Sequence, residues 1–121
     1  MCDGGAELRS RIFETDNGSH PAEEFLDSLD DKAAAKMYGL LGLLEEYGNA
    51  LRMPYSRHLD SGIFELRARI GTNVSRVLYF FFAGGKIVLT NGFVKKTEKT
   101  PPTEIALAKR YRAIYLSRRG D

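Results

Sequence analysis

The apolar spacing of this chain changes period at Ile63, and that change limits the folds open to it. Between Pro21 and Tyr47 apolar residues recur every three or four positions, the spacing of one helix face. From Ile63 onward Phe64, Leu66, Ala68 and Ile70 alternate with Glu65, Arg67 and Arg69, the period of a strand. Helical pattern followed by a block of strand pattern points to the α+β class rather than to alternating βαβ units.

Residues 8–15 read as a first strand, and residues 16–21 as a turn-rich link. Pro21 suits the first turn of a helix, with Glu23 and Glu24 placed where carboxylates complement the dipole and Phe25, Leu26 and Leu29 on its apolar side. A second helix is expected over about residues 31–47, carried by Ala33, Met37, Leu40, Leu41, Leu44 and Tyr47, with Gly48 as its stop. Gly39 and Gly42 weaken it by about 1 kcal/mol each relative to Ala unless packing needs small residues there. The two helices form a hairpin able to cover one sheet face. Gly71-Thr72-Asn73 is a turn, residues 74–82 are apolar on both sides except for Ser75 and Arg76, and Gly84-Gly85 marks the next hairpin. Residues 87–94 complete a three-stranded antiparallel meander. Pro101 and Pro102 open a C-terminal helix, with Thr100 as candidate N-cap. Ile105, Ala108, Tyr111 and Tyr115 line one side of it, while Lys109, Arg110, Arg112, Arg118 and Arg119 make the rest basic. The expected fold is therefore α+β: a small antiparallel sheet of about four strands, an N-terminal helical hairpin on one face and a C-terminal helix.

At 121 residues and 43% hydrophobic composition the chain is expected to be one domain over 1–121, with residues 1–6 disordered. Its single Cys2 cannot form an internal disulfide, which fits a reduced, cytoplasmic setting. The first six residues lack a basic region followed by an apolar one, so no secretory signal is expected. The longest apolar run, residues 77–83, is far shorter than the roughly 20 residues that span a bilayer, so no membrane partner is expected. The net charge of +2 conceals a split. Residues 1–50 hold 4 Lys and Arg against 11 Asp and Glu, whereas residues 51–121 hold 14 against 5. Such a split suits a basic face for a polyanion, although two solvated surfaces would also produce it.

The chemistry that this basic block could carry is metal-independent RNA cleavage. There the ribose 2′-OH gives its proton to a base and attacks the adjacent phosphorus, negative charge grows on the non-bridging oxygens, and the bond to the 5′-oxygen breaks as an acid protonates that leaving group. Fixed cations stabilise that transition state more than the ground state. Arg67 and Arg76 lie on neighbouring strand segments, and adjacent strands run about 4.8 Å apart, so both heads could converge on one phosphate. Arg69 shares the face of Arg67, and Lys95, Lys96 and Lys99 could clamp the backbone where the last strand ends. Glu65 is a candidate general base, with a lysine as the competing choice. A Glu65–Arg67 pair is also what an open solvated sheet face would carry, and such a pair contributes little. Arg76 sits inside a run so apolar that its charge demands a partner or a ligand. Tyr79 and Phe93 are candidates to stack a base, with core packing as the plainer alternative. His20 and His58 are distant from each other and from Cys2, so no metal-ligand spacing exists. His58 could be a proton donor near the site, or simply a surface residue.

Three segments, Phe64-Glu-Leu-Arg-Ala-Arg69, Arg76-Val-Leu-Tyr79 and Gly92-Phe-Val-Lys-Lys-Thr-Glu-Lys-Thr-Pro-Pro-Thr-Glu-Ile105, together with the order of elements, resemble the RelE/ParE superfamily of toxins from type II toxin–antitoxin systems. Within it the chain is most similar to the HigB-like, phage-derived branch, over roughly residues 7–117. The resemblance implies a RelE-like toxin that cleaves mRNA, usually while a ribosome translates it, and it implies no metal or organic cofactor. Catalytic cations would fall at Arg67, Arg76 and the cluster of Lys95, Lys96 and Lys99. It also implies a helix-turn-helix antitoxin through which operator DNA is bound. Many relatives carry a histidine or tyrosine near the C-terminus as acid or base. This chain has no histidine after Lys99, and Tyr111 and Tyr115 fall on the helix. Some members of the superfamily inhibit gyrase instead, and a non-catalytic RNA- or ribosome-binding module would present the same basic face.

Overall fold

The structure, a computed structural model, describes residues 8–96 and 99–119. The chain order is β1 (Arg9–Ile12), α1 (Pro21–Ser28), α2 (Asp31–Tyr47), a 3-10 turn (Gly48–Ala50), β2 (Ser56–Asp60), β3 (Ile63–Ile70), β4 (Asn73–Phe82), β5 (Lys86–Lys95) and α3 (Pro102–Arg119). The expectation of disorder over residues 1–6 lies outside the described residues.

The α+β class and the three-stranded meander are observed, and the rest of the sheet differs from expectation. Among the described residues it has five strands rather than about four, in the order β1-β5-β4-β3-β2. It is mixed rather than antiparallel, because β1 runs parallel to β5, with Arg9 opposite Lys86 and Ile12 opposite Leu89. β2 is the added strand. Its sequence, Ser-Arg-His-Leu-Asp, has little β-former character, and it holds its place by pairing with β3 at the sheet edge. A bulge between Leu78 and Tyr79 leaves Thr90 as the extra residue on β5, and its hydroxyl donates to the Leu78 carbonyl at 3.1 Å.

The helical hairpin buries Ala22, Leu26, Met37, Leu40, Leu41 and Leu44 against Leu66, Ala68, Val77, Tyr79, Ile87 and Leu89. Asp30 caps α2 by accepting from the Ala33 N–H at 2.8 Å, and Gly48, at φ +54°, ends it as the spacing predicted. α1 lies close on the sheet at Gly92, where an added Cβ would run into the Phe25 ring. Gly39 and Gly42, by contrast, meet nothing around their Cβ positions, so no packing among the described residues needs them small.

α3 covers the opposite face. Ala108 is buried there with Phe13, Ile63, Leu78, Phe80, Val88 and Phe93, and Tyr111, Ile114 and Tyr115 pack around them. Much of the basic surface of α3 is committed to holding the helix down. Lys109 bonds Asp60, Arg112 bonds the Ser61 carbonyl, and Arg118 bonds the Glu14 carbonyl at 2.7 Å and the Asp16 carboxylate at 2.6 Å. The hydrogen bond from Lys109 is the main reason the Asp60 carboxyl titrates below the ordinary carboxylate value. No helix of the described residues is long and apolar enough to cross a membrane.

Candidate functional site

Strand register decides which of the expected residues meet. Arg67 and Arg76 are direct cross-strand partners, and Phe93 lies opposite Arg76 on the next strand. One step along, Arg69, Val74 and Lys95 form the neighbouring row on the same face. Arg67, Arg69, Arg76 and Lys95 therefore share one sheet face, the one that α3 covers further along.

Two like charges placed opposite each other repel unless an anion sits between them. Here the anion is Glu65. Its carboxylate is 0% exposed, and one oxygen, Oε2, lies 2.7 Å from Arg57 Nη2 and 3.3 Å from Arg67 Nε. The other, Oε1, lies 3.8 Å from Arg76 Nε and accepts from the Thr100 hydroxyl at 2.5 Å. Glu65 thus joins three arginines from three strands to the segment that leads into α3. Thr100, expected as the cap of that helix, turns its hydroxyl to Glu65, and the helix itself begins at Pro102.

Arg76 is 0% exposed. Besides Glu65 it donates to the Lys99 carbonyl at 3.3 Å, and its guanidinium carbon lies 5.7 Å from the centre of the Phe93 ring, a cation–π contact. The partner that the charge of Arg76 demanded is therefore supplied inside the chain. Arg67, 7% exposed, is the guanidinium of the pair that reaches a cavity. Arg69, Lys95, Lys96 and Lys99 are exposed. Thr97 and Glu98, within the same cluster, lie outside the described residues.

The two aromatic candidates do not offer a free face. Tyr79 is 1% exposed, and it points away from the arginines into the core under the helical hairpin, stacked on Phe64 with ring centres 5.5 Å apart. Burial pushes its phenol up to about 12, partly offset by a 2.5 Å hydrogen bond with the Ser56 hydroxyl. Phe93 is 9% exposed and packs beneath Arg76. Both rings take the plainer alternative of core packing, Tyr79 in the core under the helical hairpin and Phe93 in the one under α3. His58 lies at the other end of β3, accepting from the Gly62 N–H at 3.0 Å. His20 neighbours Glu14 and Glu23 near the start of α1.

A cleft of about 370 Å³ opens beside Arg67, lined by Lys36, Met53, Tyr55, Arg69 and Val74 among others. Sequence reasoning missed most of this lining. Arg67 fixes the loop wall at two points: its backbone N–H donates to the Tyr55 carbonyl at 2.8 Å, and its Nη1 lies 3.6 Å from Met53 Sδ. Lys36 crosses from α2 to donate to the Arg69 carbonyl at 2.6 Å. The one signal in the sequence was the run Met53-Pro54-Tyr55, apolar side chains in a linking segment where solvated polar residues are usual. Arg57 was missed too, because its short polar strand was not recognised.

The arrangement can hold a phosphate at a guanidinium whose position is set by a buried carboxylate, with further cations at the rim. A search among curated proteins returned no match. A family model does match, over residues 24–113, from α1 through most of α3, and it includes the whole arginine cluster. The chain belongs to the family described as phage derived protein Gp49-like (DUF891).

Proposed function

We propose that this protein is the toxin of a type II toxin–antitoxin system, an endoribonuclease that cleaves mRNA on the translating ribosome without a metal. The observation that carries the reading is the pairing of Arg67 with Arg76 around a carboxylate with no exposed surface. Membership of a phage-derived family and the resemblance to RelE-like toxins support it.

In this reading Arg67 meets the non-bridging oxygens of the scissile phosphate. Its guanidinium is already oriented, so little reorganisation is needed as charge develops. Arg69, Lys95, Lys96 and Lys99 contact flanking phosphates, which fixes the strand so that its 2′-OH lines up with phosphorus. Glu65 acts on the arginines rather than on the substrate, because both its oxygens are engaged and neither reaches solvent. Arg76 is a positioning residue that shares Glu65 with Arg67. The toxin would work in the cytoplasm, where ribosomes are. It would be held inactive by a helix-turn-helix antitoxin, and the pair would bind operator DNA through the antitoxin.

Expression in a bacterial host tests the proposal. Growth arrest is expected, with mRNA fragments ending in a 2′,3′-cyclic phosphate or 3′-phosphate. Arrest with intact mRNA and DNA-damage signalling would instead select a gyrase inhibitor. RNA binding without cleavage would select a non-catalytic module.

A further inference from the structure

The cleft beside Arg67 has a composition that phosphate contact alone does not require. Its loop wall holds two of the more exposed large apolar side chains of the described residues, Met53 at 52% and Tyr55 at 45%. The rest of the lining includes the cations Lys36, Arg67 and Arg69. Apolar side chains beside fixed cations suit a ligand that joins a flat apolar group to an anion. Met is adaptable in shape and Tyr offers a π face, which makes them fit walls for a heteroaromatic ring.

Size narrows the ligand further. At about 370 Å³ the cleft is near the lower end of the roughly 300–1,000 Å³ typical of small-ligand sites. That admits one base with its phosphate and excludes a duplex, whose bases stay stacked. The anchoring is also specific: Arg67, one of the two arginines that line the cleft, is the residue that fixes the Tyr55 backbone and the Met53 sulfur.

We infer that this cleft is a nucleobase subsite, holding one unstacked base of a single strand between the wall at residues 53–55 and the cations, with the adjoining phosphate on Arg67 and Arg69. The inference rests on the reading of this face as the RNA-binding face, and it adds that the protein holds a base as well as the backbone. The base enters through its π face, so the subsite accepts single strands of varied sequence.

Binding of short deoxyribo-oligonucleotides to the wild-type protein tests this directly, since they lack the 2′-OH and cannot be cut by the proposed route. Anisotropy of a labelled five-nucleotide strand is compared with that of an abasic strand of the same charge. The base-bearing strand is expected to bind at least about tenfold more tightly, the scale of one base–aromatic stack. Tyr55→Ala should abolish most of that difference while leaving abasic binding unchanged. Because the chain has no tryptophan, Tyr55→Trp supplies a single reporter at the cleft. Its fluorescence should be quenched saturably by the base-bearing strand and not by the abasic one. Equal affinity of the two strands for wild type, or a base preference untouched by Tyr55→Ala, would overturn the subsite. Base-dependent binding by a protein that cuts no RNA would sink the proposed nuclease and leave the subsite standing. Cleavage together with equal affinity for the two strands would do the reverse.

Discussion

Glu65 is the residue on which the site's geometry depends, and its replacement separates stability from chemistry. Removing one member of a buried ionic group leaves the others uncompensated, at a typical cost of about 3–5 kcal/mol. Glu65→Gln and Arg76→Ala are each expected to lose stability on that scale, read as a lower urea midpoint. Arg67→Ala, at the cleft, should lose less. A loss under about 1 kcal/mol in the first two would mean that the cluster is not the structural clamp described here. Tyr79 gives a pH prediction. Its phenol is neutral in the folded protein up to about 12, whereas in the unfolded chain it ionises near the ordinary value of 10.0. Between those values the unfolded state binds fewer protons, so stability should fall as pH rises from 10 toward 12. An ultraviolet titration should show a late-ionising tyrosine, and Tyr79→Phe should remove it. The need of Arg76 for a partner was legible in the sequence, because a cation stood in an apolar run. The partner's identity was not, since it depends on the register that sets Glu65 diagonally from Arg76 across β3 and β4. The orientation of Tyr79 was hidden for a related reason: a strand buried on both faces has no polar alternation to tell one face from the other.

At the scale of elements, the helical hairpin and the meander were readable from period, caps and turns. α2 runs over the expected residues, and the three meander strands fall within a residue or so of the expected limits. What was not readable is pairing at long range. β1 joins β5 across most of the chain, and a parallel partner leaves no hairpin signal between them. β2 was lost because an edge strand with one apolar side chain in five residues carries no clear alternation. The seating of α1 on the sheet gives a test at this scale. Gly92→Ala forces the Phe25 ring to move and should cost about 1–3 kcal/mol. In a Phe25→Leu background the same change should cost clearly less, a coupling that a double-mutant cycle of urea midpoints would detect. Equal costs in the two backgrounds would show that the ring can retreat freely and that this contact does not set the helix position.

Across the whole molecule, the charge split seen in the sequence is only partly available to a ligand. Lys109, Arg112 and Arg118 are occupied in fixing α3, and Arg57 and Arg76 in the Glu65 cluster. The exposed basic rim is narrower than composition implies, centred on Arg69, Lys95, Lys96 and Lys99 at the end of the sheet. RNA binding should therefore weaken with salt at a slope set by a few phosphates, about −0.7 per contact for a single strand, and Lys95→Ala or Lys96→Ala should each reduce that slope by one contact. A slope that needs every basic residue of the C-terminal half would place the strand elsewhere. The most direct test of the central claim is single-turnover cleavage of mRNA on programmed ribosomes by wild type and by folded Arg67→Ala, with the ends of the fragments identified. The account predicts the cyclic-phosphate or 3′-phosphate ends that 2′-OH attack leaves, from wild type. It also predicts a rate loss of about 10²-fold or more in Arg67→Ala, the scale of one oriented transition-state donor. Intact mRNA with wild type, or undiminished cleavage by Arg67→Ala, would contradict it.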